Sequence, residues 1–186
     1  MFLIAGLVVA LLLGVAFGSE RLSFLDLSSA ERTILFDIRI PRVLLAACVG
    51  ASLAAAGAGL QALLRNPLAE PYLLGVSNGA ALGTMLAFVF FEQTEGSRPV
   101  LAIIGAGAAT FAVYSMARSR AGMNVERLVL SGVIVTTFLS SIIVMLTSVM
   151  DAAKLRSFTF WLLGDLSQST VNGVYLAFIV AVAGTL

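Results

Sequence analysis

Hydroxyl side chains cluster on one side of the apolar segment 128–150. On a helix, at about 100° per residue, they fall within an arc of about 140°. Such a face on a membrane helix can line a water-accessible path. In the alternative, each hydroxyl bonds a carbonyl of its own helix and packs against a neighbour. Both remain open for the candidate path residues: Thr136, Thr137, Ser140, Ser141, Thr147 and Ser148.

Two arginines, Arg39 and Arg42, precede the apolar segment that begins at Val43. Two guanidinium groups near one helix start would repel each other if both were buried. We therefore expect both to face solvent, where they can form forked pairs with carboxylates. The alternative is that they anchor the chain to lipid phosphates at the membrane interface.

Several kinds of chemistry lack the residues they require. The chain has no histidine, and its one cysteine, Cys48, lies in an apolar run, which excludes a disulfide framework and a Cys/His metal site. It also has no GxxxxGK[ST] or HExxH motif. No charged residue lies within an apolar segment, which argues against a proton- or sodium-driven carrier. We expect no catalytic residue, metal or cofactor.

The composition is that of a membrane protein. The 186 residues are 60% hydrophobic and 11% charged, with a mean hydropathy of +1.04, whereas soluble domains carry about 25% charged residues. A soluble core of this size could not bury so much apolar surface. The net charge of +1 does not indicate the basic surface that is typical of nucleic-acid-binding proteins.

The apolar runs are continuous, which favours helices over strands. A helix needs about 20 apolar residues to cross the hydrocarbon. The sequence therefore predicts an all-α, polytopic transmembrane bundle. Because the last run continues to Leu186, we expect the chain to be part of a longer protein, with this half forming one permease domain. The predicted spans are 2–18, 43–64, 72–91, 99–117, 128–150 and 171–186.

Small residues at four-residue spacing predict close helix packing. The alternative is that alanine and glycine are simply common in membrane helices. The amides Gln61 and Asn78 lie near helix ends, and we expect interhelical hydrogen bonds from both. The predicted packing residues are Ala51, Ala55 and Gly59 in the second span, and Gly75, Gly79 and Gly83 in the third.

Segment 39–88 contains a dense set of motif residues: Arg39, Pro41, Arg42, Gln61, Asn66, Pro67, Leu68, Ala69, Pro71, Leu74, Gly75, Gly79 and Ala80. With these residues the segment closely resembles the FecCD-type permease family, the membrane subunits of ABC importers for ferric siderophores, haem and cobalamin. A second block at 155–167, LRSFTFWLLGDLS, is similar to a short family segment that follows the fifth span.

The resemblance implies about ten spans in the full fold and a bacterial inner-membrane location. It also implies three partners: a second permease copy or close paralogue, a cytoplasmic ABC ATPase and an extracytoplasmic binding protein. By the same resemblance, Arg39 and Arg42 dock the binding protein. The turn formed by Asn66, Pro67, Leu68, Ala69 and Pro71 is then cytoplasmic. Loop charges alone lean weakly towards the opposite orientation.

Two interpretations remain open for this turn, and two for Trp161. The turn is either a plain helix connection or a contact with the ATPase or the neighbouring permease. Trp161 lies either in an aromatic interface belt or at the outer mouth of the path.

Other functions also remain compatible with the residues. A secondary carrier or channel would transport without an ATPase. A truncated or regulatory membrane subunit would not transport at all. As an importer subunit, the chain would form the wall and the gate of the translocation path, while a partner hydrolyses ATP.

Overall fold

The computed structural model describes residues 2–20, 27–91, 96–119, 122–164, 166 and 171–185. Leu186 of the last predicted span, and Asp165 and Ser167 of the second family-like block, lie outside these residues. The α-helices are α1 (Phe2–Ala16), α2 (Ser29–Thr33), α3 (Ile40–Leu64), α4 (Val76–Phe90), α5 (Ser97–Ala117), α6 (Val125–Val149), α7 (Ala152–Leu163) and α8 (Val171–Thr185).

The remaining elements are short. A π-helical segment, Ile34–Arg39, joins α2 to α3, and a 3₁₀ helix, Pro71–Leu74, precedes α4. Two-residue strands β1 (Arg118–Ser119) and β2 (Gly122–Met123) form an antiparallel pair between α5 and α6. The expected all-α class is confirmed, since this pair is only a connection.

Among the described residues, three helical stretches are long and apolar enough to cross a membrane: Ser29–Leu64, Ser97–Ala117 and Val125–Val149. Three shorter apolar helices accompany them: Phe2–Ala16, Val76–Phe90 and Gly173–Gly184. The chain divides into two compact units. One contains Met1–Ala56 and Asp165–Leu186, and the other is Gly57–Gly164.

The helical stretch that leads into α3 begins well before the predicted span. Ser28 forms a capping box, in which its hydroxyl accepts from the Glu31 N–H at 3.3 Å and its own N–H donates to the Glu31 carboxylate at 2.9 Å. The π-helical segment then continues without a break into α3. Arg39 and Arg42 therefore lie within a helix and not in a loop.

The third predicted span, 72–91, is not one continuous helix. Gly75 has a φ of 70°, in the left-handed region that suits glycine, and it separates the 3₁₀ helix from α4. Pro71 begins the 3₁₀ helix, where its missing N–H has no helical partner to lose. Because irregular backbone at membrane depth must be buried in protein, this break needs packed neighbours.

Two apolar clusters form the core of unit Gly57–Gly164. One joins the end of α3, the turn after it, α5 and the start of α6: Leu60, Leu64, Ala69, Val113, Ala117 and Leu128. The other joins α4 to α7 and consists of Ala81, Met85, Phe88 and Phe158. The side chains of Ile143, Leu146 and Met150 pack against this cluster.

Candidate functional site

The hydroxyl face of α6 divides into two parts. Thr136 and Ser140 turn towards α4, where the Asn78 Nδ2 donates to the Thr136 carbonyl at 3.0 Å and to the Ser140 Oγ at 2.6 Å. The expected interhelical bond of Asn78 is thereby confirmed. The Thr136 hydroxyl is buried without a hydrogen-bond partner among the described atoms. These two residues contact protein within this unit.

The other part of the face is more open. Thr137, Ser141 and Ser148 are exposed, and Thr147 is half-buried. Ser141 donates to the Thr137 carbonyl at 2.9 Å, and Ser148 donates to the Met145 carbonyl at 2.7 Å. Thr147 likewise donates to its own helix, to Val144. These hydroxyls therefore satisfy their donors locally and still present their oxygens outward.

Glycines on α4 allow its backbone to approach α5 closely. A β-carbon on Gly83 would overlap the Leu101 carbonyl oxygen, and one on Gly79 would overlap the Gly105 carbonyl oxygen. Gly75 differs, since a β-carbon there would stand at an ordinary 3.5 Å from the Thr136 Oγ1. Gly75 therefore serves the backbone turn, whereas Gly79 and Gly83 serve the contact between α4 and α5.

On the small-residue stripe of α3, Gly59 makes no such contact within the described part of the chain. No described atom lies within 4 Å of the position of a β-carbon on Gly59. Ala51 is exposed and Ala55 is half-buried. Close packing through Ala51, Ala55 and Gly59 stays a prediction. Within unit Gly57–Gly164, α5 and α6 pack against the end of α3 through Leu60 and Leu64.

The turn after α3 is held by its own hydrogen bonds. The Asn66 Oδ1 accepts from the Leu68 N–H at 2.9 Å, and the Gln61 Nε2 donates to the Pro67 carbonyl at 3.1 Å. Gln61 thus secures the turn, and the expectation of an interhelical bond from it is wrong. Ala69 is buried in the first core cluster, while Leu68 is 84% exposed. The plain connection accounts for every residue of the turn except Leu68.

Arg39 is buried, with 7% of its surface exposed. Its Nη1 donates to the carbonyls of Val15 and Ala16 at 3.2 and 3.1 Å, and its Nη2 donates to the carbonyl of Glu20. The first two are carbonyls at the end of α1, which lack partners within the helix. The expectation that Arg39 faces solvent is wrong, because a cation at a helix C-terminus is stabilised by the carbonyls and by the helix dipole.

Arg42 behaves as expected in its exposure. It lies one helical turn beyond Arg39, and its side chain is exposed. Its Nε donates to the Leu166 carbonyl at 3.3 Å. The two arginines thus have different environments, and repulsion between them is avoided because only one is buried.

The helix α7 is fixed by aromatic residues. The Phe158 ring stacks on Trp161 with centroids 6.4 Å apart, and it meets the edge of Phe88 on α4, also at 6.4 Å. The Arg98 guanidinium lies 4.4 Å from the centroid of the Phe88 ring, a cation–π contact. Trp161 therefore packs against protein, whichever of its two expected settings applies.

Sequence reasoning missed two glycines and underrated an amide. A β-carbon on Gly105 would overlap the Gly79 carbonyl, and one on Gly132 would overlap the Leu73 carbonyl. Gly105 is marked only by a Gly-Ala-Gly run, and Gly132 stands alone in α6. Asn78, one residue before Gly79, could have been found as an uncharged polar group within an apolar segment.

Comparisons with known proteins agree closely. The chain is 40% identical over 161 residues to the "Probable iron chelatin transport system permease protein" of Helicobacter pylori, covering 87% of this chain and 46% of that one. It is 36% identical over 190 residues to the hemin transport system permease protein of Yersinia pestis, covering 94% and 57%. It is 38% identical over 154 residues to the cobalamin import system permease protein of Halobacterium salinarum, covering 83% and 42%.

A solved structure has a similar arrangement of helices. It is described as an inward-facing conformation of a transporter assigned to the metal-chelate type of ABC transporter, and it matches with a TM-score of 0.81 and 29% identity. The match covers 97% of this chain and 59% of that one. The chain thus spans about half the length of the curated relatives it matches. The family model described as the FecCD transport family matches residues 6–186, and this membrane protein belongs to that family.

Proposed function

We propose that this chain forms part of the permease subunit of a binding-protein-dependent ABC importer for metal chelates in a bacterial inner membrane. Iron chelates, haem and cobalamin are the substrates we favour. A partner ATPase would supply the energy, and a second permease copy would complete the path. The chain itself would form wall and gate and carry out no reaction.

The observation that carries the proposal is the match of its helices to a metal-chelate type transporter over 97% of the chain. Membership of the FecCD family supports the same activity. The relatives named for iron chelatin, hemin and cobalamin differ in substrate, and all three substrates are large. A large substrate suits a path of hydroxyl and small apolar groups better than a cage of charges.

The path is proposed to run along the exposed part of α6. Thr137, Ser141 and Ser148 are exposed. Ser141 and Ser148 hold their donors in bonds to their own helix, so their oxygens can accept from water or from substrate without leaving a donor unpaired. No charged residue lies between Arg127 and Asp151. Such a surface lets a chelate slide without binding it tightly.

Docking of the binding protein is proposed to rest on Arg42. Its exposed guanidinium can form a forked pair with a carboxylate of the partner, and its field would speed encounter. Arg39 is proposed to act indirectly, because it ties the end of α1 to the helix that carries Arg42. The family resemblance supports an orientation in which both residues lie outside and the turn after α3 lies in the cytoplasm.

The test is uptake into proteoliposomes that hold the full-length protein, its ATPase and its binding protein. Labelled ferric siderophore, haem and cobalamin are offered in turn, with and without ATP. We expect one of them to accumulate only with ATP and with the binding protein. Uptake that needs neither would contradict the proposal and favour a secondary carrier or channel, and the absence of uptake with all partners present would favour a non-transporting subunit.

A further inference from the structure

The break between the 3₁₀ helix and α4 is packed against α6. The Leu73 carbonyl oxygen lies where a side chain on Gly132 would begin, so the two backbones touch. One helical turn further along α6, the Thr136 Oγ1 lies 3.5 Å from the position of a β-carbon on Gly75. The α6 helix thus packs against the break itself, through Gly132 and Thr136.

The hydrogen bonds of Asn78 follow on the next turn. The Thr136 carbonyl can only accept, so the amide atom facing it must be the nitrogen. The second hydrogen of the same Nδ2 is then directed to the Ser140 Oγ at 2.6 Å. Both N–H groups of the Asn78 amide are therefore donated to α6. The chemistry of the two acceptors decides the orientation of the amide group.

Thr136 and Ser140 lie near the middle of the 25-residue α6. Both are half-buried against α4, where water does not readily replace a lost hydrogen bond. The carbonyl and the hydroxyl are four residues apart, on one side of the helix. Two bonds to them from one amide resist both sliding of α6 along α4 and rotation of α6 about its own axis.

Rotation is the movement that matters for the path. Thr137 and Ser141 each follow a residue held by Asn78, so they lie about 100° around the helix from it. They are exposed, whereas Thr136 and Ser140 are half-buried. Turning α6 by a fraction of this angle would carry the exposed hydroxyls away from their present direction.

We propose that Asn78 is a positioning residue that sets the rotation of α6 and thereby directs Thr137 and Ser141 into the translocation path. The inference rests on the proposed function for the identity of the path. The orientation of α6 itself can be measured without transport.

The experiment measures labelling of a cysteine at Thr137 by a membrane-impermeant maleimide. The full-length protein carries Cys48→Ser and Thr137→Cys, and Phe138→Cys on the apolar side serves as the reference position. We expect Asn78→Leu to lower the labelling rate at position 137 by about fivefold, the change in population that an interhelical hydrogen bond in a membrane can produce.

Ser140→Ala provides a second, milder variant in case Asn78→Leu folds poorly. It should lower labelling in the presence of Asn78 and add nothing in the Asn78→Leu background, because leucine donates no bond. Ser140→Thr keeps the acceptor and should restore labelling. Thr110→Ala, which removes a bond within α5 alone, is the control and should leave the rate at position 137 unchanged.

Unchanged labelling at position 137 in both Asn78→Leu and Ser140→Ala would overturn the inference, as would equal losses from Ser140→Ala with and without Asn78. ATP-driven uptake is measured in parallel. Altered labelling in a protein that imports no chelate would support the positioning role and count against the proposed function alone. Normal uptake by the parent protein, with labelling unmoved in the variants, would count against the positioning role alone.

Discussion

Gly79 and Gly105 occupy each other's side-chain space. The carbonyl oxygen of Gly105 lies where a β-carbon on Gly79 would stand, and the carbonyl oxygen of Gly79 lies where a β-carbon on Gly105 would stand. The contact is between two backbones, so no neighbouring rotamer can make room for a methyl group. The α4 and α5 helices approach as closely as they do only because both positions are glycine.

The first prediction compares two glycines on α5. Gly105→Ala should destabilise the protein by about 1–3 kcal/mol, because the added methyl must push two backbones apart. Gly107→Ala is the matched control, since no described atom lies within 4 Å of a β-carbon there. The control should be neutral or stabilising by up to about 1 kcal/mol, as alanine is the better helix former.

The measurement is the unfolding midpoint of the purified full-length protein in detergent. Equal midpoints for Gly105→Ala and Gly107→Ala would show that α4 and α5 are not in backbone contact.

The second prediction separates the two arginines. Arg39→Met should lower the stability by about 1.5–3 kcal/mol, because carbonyls at the end of α1 lose a charged donor. Arg42→Met should leave the unfolding midpoint nearly unchanged and instead weaken binding of the binding protein, measured by surface plasmon resonance on the reconstituted permease.

Arg39→Lys is a useful intermediate, since an ammonium keeps the charge but cannot span several carbonyls with a planar fork. We expect a partial loss of stability from it. A stable Arg39→Met variant with weakened docking would return Arg39 to the binding surface and contradict the capping role.

The third prediction concerns the attachment of α7. Phe158 is 1% exposed between Phe88 and Trp161, whereas Phe160 on the same helix is 61% exposed. Phe158→Ala should cost about 3–5 kcal/mol, since it leaves a cavity between α4 and α7. Phe160→Ala should change the stability by no more than about 0.5 kcal/mol.

Limited proteolysis of the two variants, read by mass spectrometry, reports whether α7 has come loose. Cleavage within 152–163 should be faster in Phe158→Ala and unchanged in Phe160→Ala. The same cleavage rate in both would mean that the aromatic cluster does not hold the helix.

The fourth prediction addresses the path. Replacing Thr137, Ser141 and Ser148 together by leucine should slow ATP-driven uptake by about tenfold, an increase of about 1.4 kcal/mol in the barrier. These positions are exposed, so the change spares the contact with α4 that substitutions at Thr136 and Ser140 would break. The ATPase should still assemble with the variant.

The control replaces two exposed residues on the other side of α6, Phe138 and Met145, by leucine. Uptake should be retained there. If the triple variant transports at the normal rate, the hydroxyl face is a packing feature and the path lies elsewhere.

Several features of this chain follow from sequence because they are local. Continuous apolar runs predict membrane helices wherever they occur, since lipid admits no unpaired backbone. The spacing of hydroxyls on α6 is likewise a property of one helix. The break at Gly75 was less visible, because a glycine in an apolar run is equally compatible with an unbroken helix.

Roles that depend on distant segments could not be read in this way. The GxxxG pattern marked Gly79 and Gly83 as contact residues, but their partners on α5 follow from how the helices cross. The hydroxyls of α6 look alike in sequence, yet Asn78, some 60 residues earlier, separates those that face α4 from those that remain open.

The sequence by itself determined the membrane class, the helical content and the family, because apolar length, periodicity and motif are written along the chain. Only the tertiary structure decided which polar groups are buried and which are exposed. Arg39 and Arg42 are one turn apart and chemically identical, but the end of α1 comes within reach of one of them and the carbonyls of Val15 and Ala16 bury it. Burial is a property of neighbours in space, and neighbours from remote parts of a chain are set by the fold.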